Sequence, residues 1–101
     1  MINDGLDQKS REKIIRLCKS IFPKASIWIY GSRARGDYQN DSDIDLLLDA
    51  YKKLDFFEIA ELKDILAATK LPYKIDIIDF SSISDSEFKQ QIDKEKQLWQ
   101  R

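Results

Sequence analysis

Apolar residues along the chain recur first at helical spacing and then at the two-residue spacing of strands. Ile14, Leu17, Cys18 and Ile21 share one helical face, widened by Ile15 and Phe22, in a helix that Asp7 can cap and Pro23 stops. Residues 1 to 6 read as unstructured. Ser26 to Tyr30 is β-branched and aromatic, a strand composition, and it ends abruptly at Gly31-Ser32. Asp43 to Leu48 forms a second strand, with Ile44, Leu46 and Leu48 on one side and Asp43, Asp45 and Leu47 on the other. Tyr51 to Leu54 connects to a helix capped by Asp55, with Glu58 at the capping-box position. Its predicted apolar face, Phe56, Phe57, Ile59, Ala60, Leu62, Ile65 and Leu66, runs to about Thr69. Beyond Pro72, Tyr73 to Phe80 reads as a third strand in which Asp76 shares a face with Ile78 and Phe80, and Asp79 with Ile75 and Ile77. Ser84 and Glu87 form a capping box, stapled by Ile83 and Phe88, for a last helix running to about Leu98. Phe88, Ile92 and Trp99 give that helix only a thin apolar edge, whose aromatic side chains either anchor a partner or close the small core.

Helices and strands alternate, but only three strands are evident and the second follows the first after a short excursion. The pattern predicts an α/β (α+β) fold, a small mixed three-stranded sheet packed with helices, rather than a doubly wound one. A length of 101 residues suits a single domain, 1–101, with one modest core.

Composition removes several kinds of chemistry. With no histidine, Ser-His-Asp and Cys-His nucleophilic catalysis cannot be built from this chain. One cysteine, Cys18, excludes an internal disulfide, and its place on the first helix's apolar stripe marks it as a packed thiol. No charged-then-apolar leader and no long apolar run is present, so a cytoplasmic protein without a membrane span is expected. A formal charge of −1 offers no general attraction to nucleic acid. The local distribution is more telling: between Arg35 and Lys52 lie five aspartates and no basic side chain. Asp37 and Asp41 in that stretch read as solvated acids.

Asp43 and Asp45 project from one strand face roughly 6 to 7 Å apart along the chain. Two carboxylates aimed at one spot repel, and a shared hard cation relieves the repulsion. Mg²⁺ prefers one or two carboxylates, with water and substrate phosphates completing its shell. With ten residues intervening before Asp43, the Gly31-Ser32 turn allows backbone amides to approach a ligand, and Arg33 and Arg35 carry guanidinium groups suited to phosphate oxygens. Trp28, at mid-strand, is read as packing rather than as a ligand platform.

Gly31-Ser32-Arg33-Ala34-Arg35-Gly36 followed by Asp41-Ser42-Asp43-Ile44-Asp45-Leu46 resembles the signature of the minimal nucleotidyltransferases, the smallest members of the DNA polymerase β-like nucleotidyltransferase superfamily. The family pattern is hydrophobic-Gly-Ser, about ten residues, Asp-x-Asp, and a third carboxylate on a later strand. Periodicity does not choose between Asp76 and Asp79 for that third position; the resemblance implies Asp76. It further implies a polymerase β-like palm, two Mg²⁺ ions held by Asp43, Asp45 and Asp76, and ATP phosphates held by Gly31, Ser32, Arg33 and Arg35. The implied reaction is nucleoside monophosphate transfer, AMP from ATP, to a hydroxyl acceptor with release of pyrophosphate. Members of this size resemble the catalytic half of a two-protein system, paired with a separately encoded helical protein of the HEPN or substrate-binding type. In the toxin-antitoxin version, the nucleotidyltransferase adenylylates and neutralises the toxin. The alternative is a noncatalytic nucleotide-binding or antitoxin subunit that neutralises its partner by covering it. A nucleic-acid polymerase fragment is weaker still, because no basic groove is evident.

Overall fold

The computed structural model describes residues 3–101. Helix α1 spans Gln8–Ile21, strand β1 Ser26–Tyr30, the single-turn helix α2 Ser32–Arg35, β2 Ile44–Asp49, α3 Phe56–Ala68, β3 Ile75–Asp79, α4 Ser86–Glu95 and β4 Gln97–Gln100. A 3-10 turn, Phe80–Ser82, follows β3. The sheet order is β3-β2-β1-β4, with β1 antiparallel to both neighbours and β2 parallel to β3. Helix α3 is the crossover that a parallel β2-β3 pair requires.

One sheet face carries the core. Ile27 and Ile29 of β1, Ile44, Leu46 and Leu48 of β2 and Ile77 of β3 are buried together with Ile14 and Cys18 of α1 and Leu62 and Leu66 of α3. Cys18 is the packed thiol its stripe predicts, and burial pushes its pKa up to about 12, far from the thiolate range needed for reactivity. On the opposite face Leu47 is fully buried, worth about 1.5–3 kcal/mol by area removed from water. Helix α4 lies on this side. Its Ile92 is buried, and the Lys96 ammonium just beyond it sits 4.4 Å from the Trp28 ring centroid and 4.5 Å from that of Phe80. Trp28 is therefore packed, with its Nε1–H donating to Ser26 Oγ at 2.9 Å. Among the described residues no helix is long and apolar enough to cross a membrane.

Four expectations are corrected. The last helix ends at Glu95 rather than near Leu98, and Gln97–Gln100 form a fourth strand that pairs with β1, Leu98 opposite Trp28. Without β4 the outer edge of β1 would present unpaired backbone groups, and satisfying them outweighs one more helical turn of Gln and Lys. Helix α4 is capped by Asp85, whose carboxylate accepts the Glu87 and Phe88 amides at 3.0 and 3.2 Å, not by Ser84. Phe56 and Phe57 are 75% and 79% exposed at the start of α3, so the buried stripe of that helix is narrower than its apolar residues suggest. Met1 and Ile2 lie outside the described residues, but the rest of the leading segment is structured: Asp4 and Leu6 are buried.

Asp4 is the polar hub of that segment. Its carboxylate accepts Arg11 Nε and Nη2 at 3.0 and 2.6 Å, the Leu6 amide at 3.0 Å and Trp99 Nε1 at 3.0 Å. Burial pushes the Asp4 carboxyl up, but the hydrogen bonds from Arg11, Leu6 and Trp99 and the charge of Arg11 together hold it below its usual value. A depressed folded-state pKa contributes stability that is fully present above the ordinary carboxylate range and is lost as pH falls through the lowered value. Trp99, packed against the core and stacked with Arg11 at 5.9 Å, thus closes the fold instead of standing free for a partner.

Candidate active site

The site forms where three adjacent strands meet one turn. Tyr30, the last residue of β1, is in register with Asp45 of β2, and Asp45 is in register with Asp76 of β3. Asp43 sits just ahead of β2, two residues before Asp45 and so on the same side. All four lie on the face opposite the main core, beyond the part that α4 covers.

Gly31 turns the chain from β1 into α2 with φ 74° and ψ −154°, a conformation side chains rarely tolerate. A Cβ placed there would lie 2.5 Å from Asp45 Oδ2. The turn's backbone therefore rests directly against the Asp45 carboxylate, and only glycine permits it. The Gly31 carbonyl takes the Ala34 and Arg35 amides at 3.1 and 3.0 Å. The Ser32 and Arg33 amides begin the turn and have no earlier carbonyl within it to reach.

The clustering has electrostatic consequences. Burial, then the charges of Asp76 and Asp43, push the Asp45 carboxyl above its ordinary value, with Arg35 acting in the opposite sense. Burial, then Asp45 and Asp76, push the Tyr30 phenol up to about 12. Asp79 points the other way. It is 5% exposed and its carboxylate accepts the Leu54 amide at 2.8 Å and the Ser81 amide at 3.1 Å, which makes it a brace between the β2-α3 connector and the turn after β3. Of the two acids that alternation left open, register sets Asp76, not Asp79, beside Asp45.

Asp43, Asp45 and Asp76 are mutually repelling neighbours rather than a closed cage: among the described residues no three metal-ligating side chains already form a cation-holding group. Their chemistry nevertheless fits a hard divalent cation, since all donors are carboxylate oxygens, and burial together with the charges of Asp76 and Asp43 makes an ionised Asp45 costly in a way such an ion would relieve.

The two arginines part company. Arg35 is exposed at the rim, bonded through Nε to Asp37 at 3.3 Å and through Nη1 to Glu95 at 3.3 Å, contacts that solvent-exposed groups exchange readily. Arg33 departs from the expectation of a phosphate contact. It is 2% exposed, and its guanidinium is directed at backbone carbonyls beneath the loop. Four of the five N–H donors of this buried fork go to backbone carbonyls, so the group is committed to the loop and not offered to a nucleotide at the surface.

A family model described as Polymerase beta, Nucleotidyltransferase matches residues 12–101. The chain belongs to the polymerase β nucleotidyltransferase family. It is 34% identical over 95 residues to a Shewanella oneidensis protein named protein adenylyltransferase MntA, a match covering 93% of this chain and 68% of that protein. Among solved structures, a chain of a complex described as a toxin-antitoxin with AMP-PNP superposes with a TM-score of 0.73 at 30% identity, covering 90% of this chain and 73% of that one. A second, from a tri-AMPylated Shewanella oneidensis HEPN toxin in complex with MNT antitoxin, gives 0.70 at 28% identity over 95% and 74%. The resemblance to the minimal nucleotidyltransferases is upheld, as is the polymerase β-like fold, with four strands in place of three.

This nucleotidyltransferase also contains a site residue that sequence reasoning passed over. In the sequence Tyr30 is the end of a strand and the hydrophobic position of the hydrophobic-Gly-Ser pattern, with no role of its own at the site. The two-residue period that sets Trp28 on the face opposite Ile27 and Ile29 also sets Tyr30 there, immediately before the glycine, and that signal places it at the acids.

Proposed function

We propose that this nucleotidyltransferase moves AMP from ATP, in a Mg²⁺-dependent reaction, onto a hydroxyl of a separately encoded helical protein of the HEPN type, and that it acts as the antitoxin of that pair. The observation carrying this reading is the contact of the Gly31 backbone with Asp45 while Asp45 stands in register with Asp76, which sets the glycine turn and the acids side by side. Asp43, Asp45 and Asp76 would hold the metal, which when bound polarises phosphoryl oxygens and makes the acceptor hydroxyl easier to deprotonate. The Gly31-Ser32 turn and the Ser32 hydroxyl would hold the β and γ phosphates, and Arg35, at the rim near Asp45, would offset their charge. The acceptor oxygen bonds to the α phosphorus, the bond from that phosphorus to the bridging oxygen breaks, and pyrophosphate leaves with the electron pair. The hydroxyl proton passes to a neighbouring carboxylate or water. The relatives' descriptions as a protein adenylyltransferase and as partners of an AMPylated HEPN toxin support the choice of AMP and of a protein acceptor.

The second reading is a subunit that only covers its partner. Three acids repelling one another at one site would be a standing cost with no return in such a protein. Intact-mass spectrometry of the product of the adjacent gene, after incubation with this chain, ATP and Mg²⁺, should show added AMP masses that EDTA abolishes. A partner that binds tightly, is neutralised and gains no mass would establish the covering reading instead.

A further inference from the structure

Arg33 is the largest fully buried side chain of the molecule's described part, and it makes no ion pair there. Its charge is satisfied in another way. The guanidinium lies over two aromatic rings, with Cζ 5.1 Å from the Tyr38 centroid and 5.2 Å from that of Tyr73. In the plane of the fork, Nε and Nη2 donate to the Ser42 carbonyl at 3.2 and 3.0 Å, Nη2 reaches the Asn40 carbonyl at 3.4 Å, and Nη1 donates to the Asp4 carbonyl at 2.8 Å. The Ser42 carbonyl belongs to the peptide bond that begins Asp43. The Arg33 backbone belongs to α2, the turn resting on Asp45. One side chain therefore joins the turn to the residue leading into β2, across an otherwise turn-rich loop that includes few other backbone bonds, Ser42 N to Gln39 O at 3.1 Å among them.

We propose that Arg33 is a positioning residue for Asp43: its fork fixes the Ser42-Asp43 peptide relative to the Gly31-Ser32 turn, and so sets where the first carboxylate of the pair stands with respect to the phosphates. This rests on the reading of Asp43 as a metal ligand. The Asp4 carbonyl completes the fork, and Arg11 holds the Asp4 carboxylate through two hydrogen bonds of its own. A lysine cannot substitute. Its ammonium has no plane to lay against aromatic rings and no pair of parallel donors for one carbonyl.

The test compares wild type, Arg33→Lys and Trp99→Phe, the last losing an indole bond to Asp4 without touching the Ser42 contact. Hydrogen exchange, which needs no ligand, should show protection in residues 37–44 falling about tenfold or more in Arg33→Lys and unchanged in Trp99→Phe, as expected when a local constraint is released. Mn²⁺ titration of the same proteins should show affinity reduced about tenfold in Arg33→Lys alone. AMP transfer should fall roughly 100-fold, mostly in kcat, since small misplacements of reacting groups cost about that much. Should Arg33→Lys fail to fold, Tyr73→Leu, which removes one ring of the stack, should shift the same observables in the same order. Unchanged exchange in residues 37–44 would overturn the strut, and raised exchange with wild-type Mn²⁺ affinity and kcat would overturn its positioning role. If wild type itself neither binds Mn²⁺ nor transfers AMP, the enzymatic reading fails while the exchange result still decides the strut.

Discussion

Asp76→Asn is expected to leave a folded protein whose AMP transfer is about a thousandfold slower than wild type or worse, roughly 4 kcal/mol of lost transition-state stabilisation. Asp76 is exposed, paired by register with Asp45, and accepts no hydrogen bond that holds the fold, so its removal should register in chemistry and not in stability. Asp79→Asn should do the reverse. Its carboxylate braces the Leu54 and Ser81 amides from a buried position, and weakening those charge-assisted bonds should cost about 1–3 kcal/mol of folding free energy while activity per folded molecule stays near wild type. Denaturant unfolding and initial rates measured on the same preparations separate the two effects. The opposite ranking would show that β3 presents its other face to the chemistry.

Asp45→Asn should abolish transfer and at the same time yield a protein at least as heat-stable as wild type in metal-free buffer at neutral pH. Burial, Asp76 and Asp43 raise the Asp45 pKa, so the folded state binds its proton more tightly than the unfolded chain does. Ionising Asp45 therefore costs more in the folded state, and wild type carries that penalty at every pH above the raised value. As pH falls through the raised pKa toward the ordinary carboxylate value, the penalty disappears. The Tm advantage of the variant should be largest near neutrality and should vanish on acidification. Added Mg²⁺ should raise the wild-type Tm and leave the variant's unchanged, because an ion stabilises only the form that binds it. A variant that melts well below wild type at neutral pH would mean that Asp45 is a structural acid.

Much of this was legible from spacing. Alternation in Asp43 to Leu48 sets Ile44, Leu46 and Leu48 in the core and Asp45 on the far face, where they are found. The helical stripe through Ile14 and Cys18 is the one that packs on the sheet. What escaped depends on contacts between distant segments. Gln97–Gln100 has no strong strand composition and becomes β4 because β1 offers a free edge. Asp4 is an unremarkable acid until Arg11 and Trp99, 95 positions away, close on it. Arg33 follows Gly31-Ser32 as a phosphate-binding arginine would, and only the approach of Tyr38, Tyr73 and the Ser42 carbonyl turns it inward. Local pattern speaks to which face a residue takes on its own element; it says little about which remote group will meet it there.

The central claim is that Asp43 and Asp45 join a divalent cation to a nucleotide held at the Gly31-Ser32 turn. Titrating ATP into wild type and into the Asp43→Asn, Asp45→Asn double variant, each with and without Mn²⁺ as an EPR-visible stand-in for Mg²⁺, tests it most directly. Wild type should bind ATP in a strictly metal-dependent way and immobilise the Mn²⁺ signal, and the double variant, still folded, should do neither. Equal metal-dependent affinity in both proteins would contradict the account and remove this pair of carboxylates from the chemistry.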